Sequence, residues 1–328
     1  MIISRTPLRM SFVGGGTDLP AFCDEHGGAV VSTAIDKWIR VIVNHRFEGD
    51  VRVGYSETEI VRDVNSIRHE LVREAMRRTG IPRGIDVLTL ADVPSRGTGL
   101  GSSSAVTVGL LNALYAFQGI AKSVLTLAAE AAEIEIDVLG KPIGRQDQYA
   151  AAVGGCNLIE FMPRGNGVRV SPLITPPGTM QRLHEHLLLF YTGLSRGGDE
   201  ILRNQGKTVS DGTSLETMIS LRDLAYEMRD SLEHGAIDGV GDILRRGWEL
   251  KRVAAPGSAN DQIDHSLDRA RRAGATGGKL LGAGGGGFLL ICAPPPRHIT
   301  VREALPDLRE IPFRFASRGT EILLLEQT

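Results

Sequence analysis

The stretch from Pro94 to Leu114, PSRGTGLGSSSAVTVGLLNAL, sets three glycines and three consecutive serines against the start of an apolar run. Gly97, Gly99 and Gly101 free the backbone for positive φ and for close approach to a ligand. The serines fall where the next helix exposes its first unpaired N–H groups; that helix is expected from about Ser104 to Phe117, with Val106, Leu110, Leu114 and Phe117 on one stripe. Two readings fit. Orphan N–H donors, the positive helix end and the hydroxyls would receive the phosphates of a nucleoside triphosphate, or the segment is a glycine-rich turn capped by serine.

Two familiar phosphate motifs are excluded. No Lys stands where a P-loop requires one. The run Gly282-Ala-Gly-Gly-Gly-Gly287 matches GxGxxG formally, but it precedes the apolar strand FLLIC and opens no helix, so the dinucleotide-binding context fails.

Working outward from the loop, the first half is rich in strands. Alternation at Leu8–Phe12 reads as a strand, Ala29–Val43 as one or two more, and Ile85–Leu90 as the strand that feeds the loop. A helix is expected from Ser123, its cap, to Leu139, stopped by Gly140. The Pro- and Gly-rich segment from Pro163 to Met180 marks a boundary, giving expected domains 1–178 and 179–328. Beyond it, strands are expected at Leu187–Tyr191 and Phe288–Cys292, and helices within Ser214–Val253 and Asp261–Ala273. The polar segment Ser195–Ser214 is expected to be mobile.

The bulk numbers narrow the class. A chain of 328 residues is long for one core and comfortable for two. With 37 basic against 39 acidic residues, no overall field recruits nucleic acid or an anionic membrane, so phosphate recognition must be local. Three widely spaced cysteines suit neither a disulfide framework nor a CxxC metal site. The start MIISRTPLRMSF lacks an apolar signal core, and no run approaches a spanning length. A soluble, cytoplasmic protein is expected.

Three ionisable residues stand out. Glu135 has Ala131, Ala132, Val138 and Leu139 as its helical neighbours, so its carboxylate leaves an inward-facing stripe and requires a Mg2+ ion or a structural ion pair. Glu130, Glu133 and Asp137 share a solvated face. Asp147, in GRQDQYAAAVGG, either orients and deprotonates a hydroxyl or caps a helix. Arg9, on the strand face opposite Leu8, Met10 and Phe12, points to solvent or across a cleft.

Taken together, Thr6-Pro-Leu-Arg-Met-Ser-Phe-Val-Gly-Gly-Gly-Thr-Asp18, the opening stretch and Lys279-Leu-Leu-Gly-Ala-Gly-Gly-Gly-Gly-Phe288 resemble, in order, the three motifs of the GHMP small-molecule kinases, named for galactokinase, homoserine kinase, mevalonate kinase and phosphomevalonate kinase. The likeness spans essentially the whole chain. RTPLRMSFVGGGTDLPAF and EIEIDVLGKPIGRQDQYAAAVGG are most similar to the branch that phosphorylates the anomeric C1 hydroxyl of D-glycero-D-manno-heptose 7-phosphate on the route to GDP-heptose. The galactose branch reads GEHTD where this chain has Gly14-Gly-Gly-Thr-Asp18.

This resemblance implies an α+β fold of two domains, an N-terminal one like domain 2 of ribosomal protein S5 with a left-handed βαβ unit, and a ferredoxin-like C-terminal one. It implies ATP and Mg2+. Gly97, Thr98, Gly99, Leu100, Gly101, Ser102, Ser103 and Ser104 would cradle the triphosphate, and Ser103 and Glu135 would hold the metal. Asp147 and Arg9 would be catalytic. Gly15, Gly16, Thr17, Asp18 and Asp147 would meet the sugar, with Gly284 and Gly285 closing from the second domain. Candidates for the sugar's own phosphate are Arg73, Lys141, Arg145 and Arg196. A homodimer is compatible with this reading. The competing readings are a 1-kinase for a neutral, fucose-type sugar and a non-catalytic sugar sensor, against which the joint presence of Arg9, Ser103, Glu135 and Asp147 counts.

Overall fold

The strand expected at Leu8–Phe12 is the C-terminal part of a longer one, β1, Ile2–Val13. A computed structural model describes residues 1–94, 97–194, 199–210 and 214–325. After β1 come α1 (Pro20–His26), β2 (Gly28–His45), β3 (Val51–Gly54), β4 (Thr58–Val61), α2 (Glu70–Thr79) and β5 (Ile85–Ala91). The glycine–serine loop then leads into α3 (Ser102–Phe117), followed by α4 (Val124–Ala132), α5 (Gln146–Val153), β6 (Cys156–Phe161) and β7 (Val168–Pro172). The remainder is α6 (Thr179–Glu185), β8 (Leu187–Tyr191), α7 (Asp199–Ser210), α8 (Leu215–Glu233), α9 (Val240–Ala254), α10 (Asp261–Arg272), β9 (Gly277–Leu280), β10 (Phe288–Cys292), α11 (His298–Ala304), β11 (Arg309–Glu310) and β12 (Glu321–Leu325).

Two sheets organise these elements. The larger runs β12-β1-β2-β5-β3-β4, with β6 and β7 joined to the other end of β2. The segment expected as one or two strands is a single long one: its start, Gly28–Thr33, pairs with β6, and its end, Ile39–His45, pairs with β5. Among the described residues only β3 and β5 run parallel, joined through β4 and α2. The smaller sheet is antiparallel in the order β11-β8-β10-β9, the ferredoxin-like arrangement. The chain's last strand returns to pair with its first, so residues 321–325 belong to the sheet built by the opening residues.

One apolar core joins the two sheets. Leu8, Met10 and Phe12 of β1 share a cluster with Leu187 and Leu189 of β8 and Phe288 and Leu290 of β10, which fixes how the two halves meet. On the larger sheet α3 lies close to β1 and β2 because Gly109 has no side chain; a Cβ there would sit 2.9 Å from Thr6 Oγ1.

Two local expectations are corrected. The helix capped by Ser123, whose Oγ accepts from Thr126 N–H at 3.1 Å, is α-helical only to Ala132 and then widens to a π-helical turn over Glu133–Val138. The wider turn changes the register, so Val138 is exposed while Glu135 is fully buried. Within the segment expected to be mobile, residues 199–210 form α7, which packs on α1 and α9; the residues on either side lie outside those described. Polar composition misled there because Gln205 is itself a packing residue, buried against the turn at Gly16.

Candidate active site

Arg9 resolves the choice left open by its strand position: it crosses a cleft. Its backbone N–H donates to Leu100 O at 3.0 Å, tying β1 to the glycine–serine loop. Its guanidinium donates from Nε to Asp147 Oδ1 and from Nη2 to Oδ2, both at 2.7 Å, and from Nη1 to Gly99 O at 2.6 Å. This two-pronged grip orients a carboxylate as well as neutralising it. Asp147 stands in the first turn of α5, where Arg145 occupies the cap position, so the capping role falls away.

The turn after β1 builds the opposite wall. Asp18 is 2% exposed and accepts from Gly16 N–H at 2.9 Å, Gln146 N–H at 3.1 Å and Gln146 Nε2 at 2.9 Å. Burial and then the nearby Asp147 carboxylate push its pKa up, partly offset by the backbone donors. Gly144 makes room for it; a Cβ there would lie 1.9 Å from Asp18 Oδ2. Gly15 and Gly16 line the cleft. Thr17 does not: its hydroxyl is turned to the carbonyls of Gly14 and Ala29 at 2.8 and 3.0 Å, where it staples the turn to β2.

The glycine–serine loop has the predicted backbone. Gly97, Gly99 and Gly101 all take positive φ, and Gly101 caps α3 in the left-handed conformation. Thr98 Oγ1 and Ser102 Oγ lie 2.9 Å apart, bracing the loop across its mouth. Leu100 is buried beneath it and Ser104 beneath the helix start. The first bond of α3 from its N-terminal side is Ala105 N–H to Gly101 O, and among the described residues the N–H groups of Ser102, Ser103 and Ser104 are left open to an anion.

Ser103 and Glu135 are brought together. Ser103 Oγ donates to Glu135 Oε2 at 2.5 Å, and Gln148 Nε2 to Oε1 at 2.9 Å. Burial raises the pKa of Glu135, with the Ser103 hydroxyl and the more distant Lys141 charge acting against it. A fully buried carboxylate held by hydroxyl and amide donors, with no ion pair among the described residues, fits a hard cation. Among the described residues no three His, Cys, Asp or Glu side chains gather into a metal cage. Ser103 and Glu135 offer the one or two protein oxygens that Mg2+ takes where phosphates are at hand.

The second glycine run packs backbone to backbone on the first. A Cβ on Gly99 would lie 2.3 Å from Leu281 O, and one on Gly287 2.5 Å from Thr98 O. Gly282 and Ala283 reach the cleft. Gly284 and Gly285 do not: they turn away to Ser258, whose carbonyl accepts from Gly285 N–H at 2.8 Å.

The four phosphate candidates are not brought together there. Arg73 is engaged by Glu74 and the Ile67 carbonyl, Lys141 by Glu70 at 3.0 Å and Arg145 by Asp24 at 3.5 Å. None of these three lines the cleft, and Arg196 lies outside the described residues. The cleft holds two cations that the sequence reading missed, Lys251 of α9 and Lys279 of β9. A signal existed for the first, since Val240, Leu244, Trp248 and Lys251 follow one inward stripe of α9.

Comparison with known proteins places this geometry. The family model "GHMP kinases N terminal domain" matches residues 65–155 and "GHMP kinases C terminal" residues 228–308. D-glycero-alpha-D-manno-heptose 7-phosphate kinase of Campylobacter jejuni is 29% identical over 298 residues, covering 86% of each chain. The bifunctional fucokinase/GDP-fucose pyrophosphorylase of Arabidopsis thaliana is 30% identical over 313 residues, 85% of this chain and 28% of that protein. Among solved structures, a D-glycero-D-manno-heptose 1-phosphate kinase from Bacteroides thetaiotaomicron superposes over 100% of both chains with a TM-score of 0.82 and 25% identity. With both family models matched in order along the chain and the fold superposing end to end, this protein belongs to the GHMP kinase family.

Proposed function

We propose that this GHMP-family sugar kinase transfers the γ-phosphoryl group of ATP to the anomeric C1 hydroxyl of D-glycero-D-manno-heptose 7-phosphate, giving the 1,7-bisphosphate. The observation that carries the chemistry is the Arg9–Asp147 pair set between the glycine–serine loop and the turn of Asp18. The acceptor rests on the Campylobacter and Bacteroides relatives, whose names agree on the sugar and differ on its phosphate.

In this reading Asp147, its orientation fixed by Arg9, accepts the hydrogen bond of the reacting hydroxyl and takes its proton as the new bond forms. Arg9 also contacts Gly99 of the loop, so its charge spans the acceptor and donor ends and opposes the negative charge that develops between them. Asp18 retains a lone pair beyond its three donors for a sugar hydroxyl. The open N–H groups of Ser102 to Ser104 receive phosphate oxygens. Ser103 and Glu135 would hold Mg2+, which would supply positive charge against the negative charge of the phosphates. We assign residues 1–178 to the nucleotide-side unit and 179–328 to the second, with β12 crossing back, and place the protein in the cytoplasm.

A coupled ADP-release assay with Mg2+-ATP over heptose 7-phosphate, heptose 1-phosphate, mannose 6-phosphate, fucose and galactose tests the reading, with phosphorus NMR of each product. A new anomeric phosphate on heptose 7-phosphate is expected. Turnover confined to a neutral sugar would replace the acceptor and keep the mechanism, and silence across the panel with ATP still bound would overturn catalysis.

A further inference from the structure

Lys251 is a buried ammonium at the cleft to which the mechanism above gives no task. Its stem follows the inward stripe of α9, and its Nζ donates to the Gly282 carbonyl in the second glycine run. Around it stand Arg9 from β1, Lys279 from β9, Asp18 from the turn after β1 and Asp147 from α5. Asp147 is already gripped by Arg9, and Asp18 is taken up by Gly16 and Gln146. Among the described residues neither lysine forms an ion pair with a carboxylate.

The two lysines differ in occupation. Lys279 Nζ donates to Ser11 O at 3.0 Å and Phe12 O at 2.9 Å, and so clamps β9 to β1. Lys251 has three donors and one carbonyl, with the open cleft before it. Burial, and after it the charge of Arg9, brings its pKa down to about 8, while Asp18 and Asp147 offset this only in part. An ammonium 7% exposed without a counter-ion is costly, and the cost is recovered when a ligand brings the anion.

We propose that Lys251 is an anion-binding residue of this cleft, whose ammonium takes a phosphate oxygen of a bound substrate. The inference rests on the kinase reading for the source of that phosphate, which is either the group being transferred or one the acceptor already carries.

The test is a calorimetric titration of inorganic phosphate into the full chain and into Lys251→Met and Lys251→Arg. Phosphate affinity should fall about tenfold or more in the Met variant and stay within about threefold in the Arg variant. Sulfate, whose charge is constant, should bind wild type progressively less well between about pH 7 and 9.5 and lose less affinity for the Arg variant over the same range, because arginine does not titrate there whereas the neighbouring Lys279 is common to both. Equal phosphate affinity in wild type and Lys251→Met would overturn the proposal. If the Met variant fails to fold, a flat sulfate profile in wild type overturns it instead.

Kinetics of Lys251→Met identify the source. A fall in kcat on phosphorylated and neutral acceptors alike assigns the transferring group, and a rise in KM for phosphorylated acceptors alone assigns the acceptor's phosphate. A wild-type protein that turns over nothing, yet binds phosphate through Lys251, would sink the kinase reading and leave this inference standing.

Discussion

Arg9 and Asp147, 138 residues apart in the chain, close two parallel hydrogen bonds of 2.7 Å across the mouth of the cleft. The pair couples the strand that anchors the glycine–serine loop to the helix that carries the proposed base. Replacing Asp147 by Asn keeps the shape and removes both the charge and the proton acceptor. We expect kcat to fall by roughly 10^3-fold while ADP affinity changes by less than about threefold. Single-turnover rates together with nucleotide titration check this, and wild-type kcat in the variant would refute the role.

Glu135 is buried, and its donors are uncharged. Glu135→Gln should raise the Mg2+ concentration for half-maximal rate about tenfold or more, since a neutral amide is a poor ligand for a hard cation. The metal-free protein should melt no lower than wild type, because the substitution removes a buried charge of the same shape. A metal titration of initial rates, paired with a melting curve, separates loss of a ligand from loss of the fold.

Gly144 is required for its lack of a side chain. In Gly144→Ala the new methyl would lie 1.9 Å from Asp18 Oδ2, displacing that carboxylate from the cleft wall. The acceptor KM should rise about tenfold with little change in the KM for ATP, a split that steady-state kinetics reads directly. A rise in both would place the effect on the whole fold.

Lys251 gives a stability prediction with a definite sign. Its folded pKa of about 8 lies below the unfolded value of 10.5, so between these values the unfolded chain holds more protons and stability contributed by this group rises with pH. Below about pH 8 the full cost of the buried charge is present, on the order of 3 kcal/mol. Lys251→Met should therefore be stabilising near neutrality, less the value of the lost bond to Gly282, and the gain should shrink toward pH 10. Urea unfolding of both proteins at the two ends of the range decides it; a gain that grows with pH would contradict the sign.

What the sequence determined by itself was whatever a short window can encode. The positive-φ glycines of the loop and the strands at Ile85, Leu187 and Phe288 follow from local conformational freedom or from the period of burial. The order of three motifs pointed to the family. The tertiary structure decided what depends on partners far along the chain. Arg9 could face solvent or cleft until α5 brought Asp147 to it. Thr17, Gly284 and Gly285 sit in motif positions yet turn toward backbone, because Ala29 and Ser258 are close enough to take them. The inward stripe of α9 marks Lys251 as facing the interior, but that it faces a cleft depends on the second glycine run, whose Gly282 carbonyl meets its Nζ. The π-helical turn has the same origin: six polar and apolar residues in a row carry no signal for an extra residue per turn, and only the packing that holds Glu135 against Ser103 and Gln148 selects it.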